Sequence, residues 1–580
     1  MPHPQTIRYL SRATARIRGL LPGRDDLAGM RTSPREDVLA GLTVAVAALP
    51  LSLGLGIASG LGARAGLVSA VVAGGLAALL GGSKLQITGP TGLLAVALLP
   101  VARAHGAPGV LTTGLLAGLA LMAAAHLGLS RYVRLVPVPV VTGFVTGSAG
   151  VLLCQQLPTA TGSRAAEGEG VVVPAVRALG DLAPDRHGAA AAMTVGVLAL
   201  CLAGSQLRPA LPVPLMAVAL ATVLTHFLHL PLATIGPLPA GLPAPSLGFV
   251  SPALVPQLLP SVFAVVALSA LEALRTAAAA DSLTDSERHD GDRVLFGLAA
   301  ANAITPVFGG MAATGTVCRT GINIRAGALS RLAALVNAAA LALVALTAGP
   351  LMSAVPLAAI AGVLVATAVR MVDLAALRAL RGSGHGQLAV AAVTATTTVL
   401  FDLVTGITVG AVLTAALALH AVTKSAAVHR MLPRQSRDGE APPPAPDDAS
   451  VAVYRIDGPL LFTTADRLLK PVSRSQATVT ILHMARVTLI DATGVLALGE
   501  AIDNHHRRRA HILLSGIRPN HRPHLDALGV LRRLRSHEHH AFPAPADAFR
   551  YAQRALLNPP ALPGPAPTGS WLETGDTMSG

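Results

Sequence analysis

Ile87-Thr88-Gly89-Pro90-Thr91-Gly92 and Ala312-Ala313-Thr314-Gly315-Thr316-Val317 read as one device written twice. Each is a small, uncharged, Gly/Thr-rich break that opens a hydrophobic helix inside a strongly apolar region. Within a bilayer, irregular backbone survives only where it is buried in protein or lines a cavity, because lipid satisfies no N–H or C=O group. Interrupted segments in corresponding places of two halves are the best sequence pointer to a transporter's binding site. The helix that follows each break presents unpaired N–H groups and the positive end of its dipole, which suits an anion. The pair therefore predicts a small-anion site, with Gly89, Thr91 and Gly92 at one helix start and Gly315, Thr316 and Val317 at the other. Glycine lets backbone approach a ligand closely, and threonine hydroxyls add adaptable hydrogen bonds. Each motif taken alone is equally consistent with small residues that only permit close helix packing.

The composition around these breaks is that of a membrane protein. Of 580 residues, 52% are hydrophobic and only 13% charged, against roughly 25% charged in a soluble domain. Uncharged runs of about 20 residues match a hydrocarbon core ~30 Å thick. Aromatics are only 3%, so Ala, Leu, Val and Gly supply the apolar mass and allow close helix contacts. Apolar segments cover 38–58, 65–81, 90–102, 109–128, 136–157, 188–203, 211–229, 257–279, 293–309, 315–327, 329–348, 353–370, 386–401 and 403–423. They make fourteen, two of them short half-helices, so the expected fold class is an α-helical polytopic membrane protein.

The net charge of +14 does not imply nucleic acid, since no basic patch is interleaved with aromatics. The basic residues instead sit in loops and termini. Arg131/Arg134, Arg208, Arg370/Arg378/Arg381 and Lys424/Arg430/Arg434 fall on one side together with Arg8, Arg12, Arg16, Arg18 and Arg24. Excess Lys and Arg mark cytoplasmic loops, which places both termini in the cytoplasm of a cell-membrane protein. Cys154, Cys201 and Cys318 are isolated in apolar segments and give neither a metal site nor a disulfide framework. No cleaved signal peptide, nucleophile–base arrangement or nucleotide-binding loop is visible, so neither an enzyme nor an ATP-driven pump is expected.

One intramembrane charge cluster stands out. Between Gly188 and Leu271 the only charged residue is Arg208; Glu272 then appears inside an apolar segment, followed by Arg275 and Thr276. An ionisable residue within a membrane segment marks a functional site by default. Arg275 lies three residues on, shares a helix face with Glu272 and is expected to pair with it. Such pairing shifts the weight from proton symport towards exchange. Alternatively Arg275 adds positive charge to the anion site, or simply neutralises Glu272 or snorkels outward. Asp402, between the last two segments, reads as a loop charge.

The chain divides into a basic N-terminal segment at 1–36, a transmembrane domain at 37–424, a linker at 425–449 that is Pro-rich and charged over 436–449, a soluble domain at 450–555 and a disordered tail at 556–580. In the soluble part, Val451–Ile456, Val479–Met484 and Ala510–Leu514 read as strands and Gly494–His505 as a helix, a small α/β domain. Its many histidines are spaced irregularly and read as a basic solvated surface rather than a metal site.

Four separated motifs in the right order resemble one family. Ala40-Gly41-Leu42-Thr43-Val44, Ala48-Leu49-Pro50 and Ala58-Ser59-Gly60-Leu61 are similar to the first span of SulP anion transporters. Gln86 to Gly92 resembles the third span, and Phe308 to Gly327 the ninth-to-tenth-span region. Leu489-Ile490-Asp491-Ala492-Thr493-Gly494 resembles the loop and helix start of a STAS domain. The resemblance implies 7+7 inverted repeats with a core and a gate, a homodimer, and sulfate, bicarbonate, chloride or dicarboxylate substrates coupled to H+ or Na+ or exchanged. It assigns Glu272 the role of the coupling carboxylate, with Arg275 and Thr276 beside it, and requires no cofactor. Arg275 departs from the motif, which is usually apolar there, and Leu51 stands where many relatives carry a glutamine after the proline. Thr493 sits where anti-sigma antagonists carry a phosphorylated Ser or Thr, which makes it the candidate regulatory phosphosite; a role in assembly competes with that reading.

The expected function is a secondary active anion transporter. An uncoupled anion exchanger or channel on the same fold, or an anion sensor signalling through the STAS domain, are the alternatives.

Overall fold

The computed structural model describes residues 19–23, 29–31, 33–133, 136–163, 170–180, 184–207, 212–238, 241–284, 288–431, 450–535 and 541–557. Arg208, the N-terminal arginines up to Arg24, the linker stretch 436–449 and the tail from Asn558 lie outside them. The chain forms two compact units, Met1–Thr414 and Ala415–Gly580.

The first unit is helical. Its main helices are α1 (Pro34–Ala58), α2 (Ala63–Leu80), α3 (Gly92–Leu127), α4 (Val138–Thr161), α5 (Pro184–Leu207), α6 (Val213–Phe227), α7 (Val255–Leu283), α8 (Gly291–Ile304), α9 (Val317–Arg325), α10 (Leu332–Thr347), α11 (Leu357–Met371), α12 (His385–Leu400) and α13 (Leu403–Ser425), the last running into the second unit. Each expected apolar segment carries one of these helices, two of them joined in α3. There Gly106 takes a left-handed φ of 63° two residues before Pro108, a conformation that glycine adopts without steric cost. Short helices at Val172–Gly180 and Leu374–Ser383 lie outside the expected segments. Among the described residues, seven helices are long and apolar enough to cross a membrane, and three more apolar ones are shorter.

Small residues set the spacing of these helices. A methyl group on Gly118 of α3 would overlap the main chain of Ala303 in α8, and one on Gly143 of α4 would overlap that of Ala391 in α12. Without a hydrophobic drive between helices in lipid, such close contact supplies much of the association. The buried charges satisfy helix ends. Asp37, in the first turn of α1, accepts from the N–H groups of Leu329 (2.8 Å) and Ser330 (3.0 Å) and from the Ser330 hydroxyl. Arg331 at the start of α10 donates to the carbonyls of Ala78 (3.1 Å) and Gly81 (2.5 Å), which end α2.

Two-residue strands break the helical pattern. β1 (Thr88–Gly89) and β2 (Thr314–Gly315) pair antiparallel, Thr88 opposite Gly315 and Gly89 opposite Thr314. The two breaks picked out by sequence are thus one element.

The second unit is an α/β domain. Its sheet runs β3 (Ala427–Met431), β4 (Val451–Leu460), β5 (Val479–His483), β7 (His511–Ser515), β8 (Ala541–Phe542), with β6 (Val487–Ile490) also paired to β4. Only the β3–β4 pairing is antiparallel. Side chains alternate along the strands. Leu482 packs with Leu498 and Ile502 of α15 (Ala492–Arg507), and with Leu468 of α14 (Ala465–Ser473). Val479 and Ile481 instead meet Ala548 and Ala552 of α16 (Pro545–Leu557). Both sheet faces are covered, as parallel strands require. Short β3 falls within the stretch read from sequence as linker; Ala427-Val-His-Arg-Met431 has too little alternation to announce a strand.

Candidate functional site

Every backbone group freed by the two breaks has to be satisfied inside the protein. Asn302 of α8 does this for β2, its amide donating to Ala313 O (2.9 Å) and accepting from Ala313 N (2.7 Å). The Thr314 hydroxyl donates to Ser269 O in α7 (2.8 Å), and the Ser69 hydroxyl to Met311 O (2.9 Å). On the other strand, Ile87 N donates to the Thr320 hydroxyl (3.0 Å), and the Asn323 amide donates to Leu85 O (2.9 Å). Residues of α9 therefore hold the first break in place, while α2, α7 and α8 hold the second.

The pairing brings the starts of α3 and α9 to the wall of one cavity of about 300 Å³. Thr91, Gly92, Thr316 and Val317 line it. Gly89 and Gly315 stand behind that wall and serve close approach. A methyl on Gly89 would lie 2.6 Å from the Arg319 guanidinium, and one on Gly315 would overlap the side-chain amide of Gln86. The first N–H groups of a helix have no partner within it. At α3 the Thr91 hydroxyl accepts from Leu94 N (3.4 Å), leaving Gly92 and Leu93 to face the cavity. Both donors of Thr316, its N–H (3.0 Å) and its hydroxyl (3.3 Å), go back to Ile87 O, so α9 has no side-chain cap.

Glu272 of α7 lines the same cavity and is half-buried. Its Oε2 is shielded from solvent and without a hydrogen-bond partner among the described residues, and the Thr91 side chain lies beside the carboxylate. Arg275 lines the cavity too but is exposed. Among the described residues no direct hydrogen bond or ion pair joins it to Glu272, and the two interact through their charges at longer range. Helical spacing brings Cβ atoms together, but a long Arg stem is free to carry its head elsewhere. Thr276 is buried, its hydroxyl has no partner among the described residues, and it lies outside the cavity wall.

Two arginines that sequence reasoning did not assign to the site belong to it. Arg319 is 3% exposed and donates to the Pro90 carbonyl, tying α9 to the first break. Arg319 thus brings a buried cation to the helix starts at the cavity, and α9 is a polar rather than a hydrophobic helix. The lone cation of Val317-Cys318-Arg319-Thr320-Gly321-Ile322 was the available signal. Arg370, counted as a loop charge, lines the cavity at the end of α11 and donates to Cys201 O (2.5 Å). Leu51 also lines the cavity.

In the second unit, Thr493 is exposed in the first turn of α15. The Asp491 carboxylate already occupies that helix end, accepting from Gly494 N (2.7 Å) and Phe462 N (3.0 Å). Asp402 accepts from Thr405 N (2.9 Å) and the Thr405 hydroxyl (2.6 Å) at the start of α13, a capping charge.

The profile of the Sulfate permease family matches residues 35–394, well over half of the chain, and that of the STAS domain matches 443–548. The chain belongs to the sulfate permease family. Among relatives of this permease are the putative sulfate transporter YvdB of Bacillus subtilis (29% identical, 86% of this chain and 94% of that one) and the bicarbonate transporter BicA of Synechocystis (30%, 86% and 90%). The solved transmembrane domain of a cyanobacterial BicA is 30% identical with a TM-score of 0.60, covering 65% of this chain and 98% of its own. SLC26A9 superposes with a TM-score of 0.79 over 94% of both chains at 16% identity, a likeness of fold. The permease is thus a helical integral membrane protein of an anion-transporter family with a C-terminal STAS domain, and its relatives are transporters, not enzymes.

Proposed function

We propose that the permease is a secondary active transporter of small anions of the sulfate, bicarbonate or dicarboxylate class, with the anion held between the starts of α3 and α9. One observation carries this reading: two uncapped or partly capped helix starts, the Arg319 guanidinium and the Glu272 carboxylate converge on one cavity. The N–H groups of Gly92, Leu93, Val317 and Cys318 hold the anion, and Arg319, which also lines the cavity, supplies positive charge. Because Arg319 is already bonded to Pro90 O, its pull on the anion is shared, which keeps affinity modest and release possible. Glu272 carries the coupling H+ or Na+, its shielded, unpartnered Oε2 being the acceptor for it. Fourteen spans as 7+7 inverted repeats, a homodimer in the cell membrane with both termini cytoplasmic, and domain limits at 36/37, 424/425, 449/450 and 555/556 complete the reading. The STAS domain serves assembly and regulation, with Thr493 as its phosphorylation candidate.

Uptake of labelled sulfate, bicarbonate, chloride and fumarate into proteoliposomes, with and without inward H+ or Na+ gradients, tests this. Gradient-driven accumulation of one anion is the expected result. Counter-anion-dependent flux without gradient stimulation replaces it with an exchanger. Binding without flux replaces it with a sensor.

A further inference from the structure

The anion cavity has a neighbour. A second cavity, of about 520 Å³, lies among α4, α7, the start of α8 and the short helix Ser130–Val133. The two cavities share Val141, Leu271 and Arg275, of which only Arg275 is polar. Its guanidinium is exposed and has no hydrogen-bond or ion-pair partner among the described residues.

Two guanidinium groups, Arg131 and Arg275, line the second cavity, and the described aspartates beside it, Asp281, Asp290 and Asp292, are engaged. Asp281 is bonded to His289, its Oδ2 2.6 Å from the ring Nδ1 and 3.1 Å from the backbone N–H. Asp290 caps α8 through Asp292 N (3.0 Å) and Arg293 N (3.2 Å), while Asp292 accepts from Ser130 N (3.4 Å). Arg131 lies over the Tyr132 ring, 4.8 Å from its centroid. Ser130 and Thr142 add hydroxyls. A guanidinium stays charged at any working pH, so two of them beside three engaged aspartates attract an anion, while Glu272 of the adjoining cavity acts on Arg275 from the other side.

We propose that this second cavity is an anion vestibule, and that Arg275 passes the anion between it and the transport site. The inference rests on the transport reading above. It explains the residue's place: a counter-ion for Glu272 belongs against the carboxylate, whereas a transfer group belongs on the wall common to two chambers. A flexible Arg with no hydrogen bond among the described residues reaches either side without first breaking one.

The test uses the full-length permease in proteoliposomes, with labelled sulfate and bicarbonate and initial rates at low and high ionic strength. Arg275→Gln is expected to raise KM about five- to tenfold while kcat stays within about twofold, and to flatten the salt dependence. Arg131→Gln, on a different element, is expected to raise KM by roughly two- to threefold in the same direction. Thermal melting of both variants should match the parent, since neither side chain holds a buried partner. An unchanged KM in Arg275→Gln overturns the inference, as does a loss that Glu272→Gln in the same chain restores, because restoration identifies an ion pair. If the parent chain carries none of the anions, the transport reading fails and the inference falls with it; if the parent transports and only the KM split is missing, the inference alone fails.

Discussion

The starts of α3 and α9 are built to the same plan and differ in how they are finished. Both follow a two-residue strand, both begin after a threonine, and the strands pair with each other. Thr91 turns its hydroxyl onto its own helix and lies beside Glu272; Thr316 turns away to Ile87 O. α3 continues as an apolar helix through Leu93-Leu94-Ala95-Val96, whereas α9 is short, polar and carries Arg319. The difference separates two duties that the sequence repeat had merged. On the transport reading proposed above, the α3 end couples the anion site to the carboxylate, and the α9 end supplies charge and open N–H groups.

Removing the charge at the α9 end is the largest test of that division. Arg319→Gln leaves Pro90 O with a weaker donor and the site without its buried cation. A charge-assisted hydrogen bond contributes about 1.5–3 kcal/mol, so anion uptake should fall roughly ten- to a hundredfold. Arg319→Lys should recover part of it, because the charge returns without the fork geometry. Uptake unchanged in Arg319→Gln would show that the two ends are equivalent after all.

The second test addresses the shared strand. Gly315→Ala drives a methyl into the Gln86 amide and against Ala273 Cα of α7 (3.3 Å). Overpacking of this kind costs about 1–3 kcal/mol, read as a lower melting temperature of the permease. Gln86→Ala in the same chain should return most of the loss. Gly89→Ala, which meets only the end of a flexible guanidinium, should cost less in stability and more in anion affinity.

How much of this was legible in the sequence follows from what each feature depends on. The breaks were, because an uncharged Gly/Thr run in an apolar chain has few other uses. So were the apolar segments and three STAS strands, whose β-branched residues announce them. Arg319 was not, since a cation within a nine-residue helix looks like a loop charge until strand pairing turns it onto Pro90. The Glu272–Arg275 pair was expected from spacing alone, and spacing does not fix where four side-chain torsions send a guanidinium. Nor did spacing reveal that Thr316 spends both donors on Ile87 O, a contact 229 residues away in the chain.

The third test separates the two threonines. Thr91→Val removes a cap, worth about 1 kcal/mol, and strips Glu272 of its neighbour, so the gradient dependence of uptake should change. Thr316→Val removes one of two donors to the same carbonyl. Its cost should stay below about 0.5 kcal/mol, as for a redundant bond, and its KM should hold. If instead KM rises severalfold, the Thr316 hydroxyl leaves Ile87 O when the anion binds.

The smallest effect sets the pH range in which those comparisons hold. His505 of α15 is 2% exposed, with Nδ1 2.8 Å from Ala501 O and Nε2 3.2 Å from the Thr480 hydroxyl. Burial pushes its pKa below the ordinary 6.5, with the positive charge of Arg508 acting the same way. The folded domain thus prefers neutral imidazole, donating to Ala501 O and accepting from Thr480. Above pH 6.5 folded and unfolded chains both hold it neutral, and the stability it contributes is complete. As pH falls through 6.5 and then the lower folded value, the unfolded chain binds the proton first and that stability is lost, by at most about 1.4 kcal/mol per pH unit for one group. Melting of the full-length permease at pH 7.5 and 5.5 should show the STAS transition moving down, and His505→Gln should flatten that slope while leaving the transmembrane transition in place. An equal slope in the variant would move the acid sensitivity to His483 or His521, which burial shifts in the same direction. Either way, uptake by the Thr91 and Thr316 variants compares the two helix starts only above pH 6.5, where the second unit is not itself losing stability.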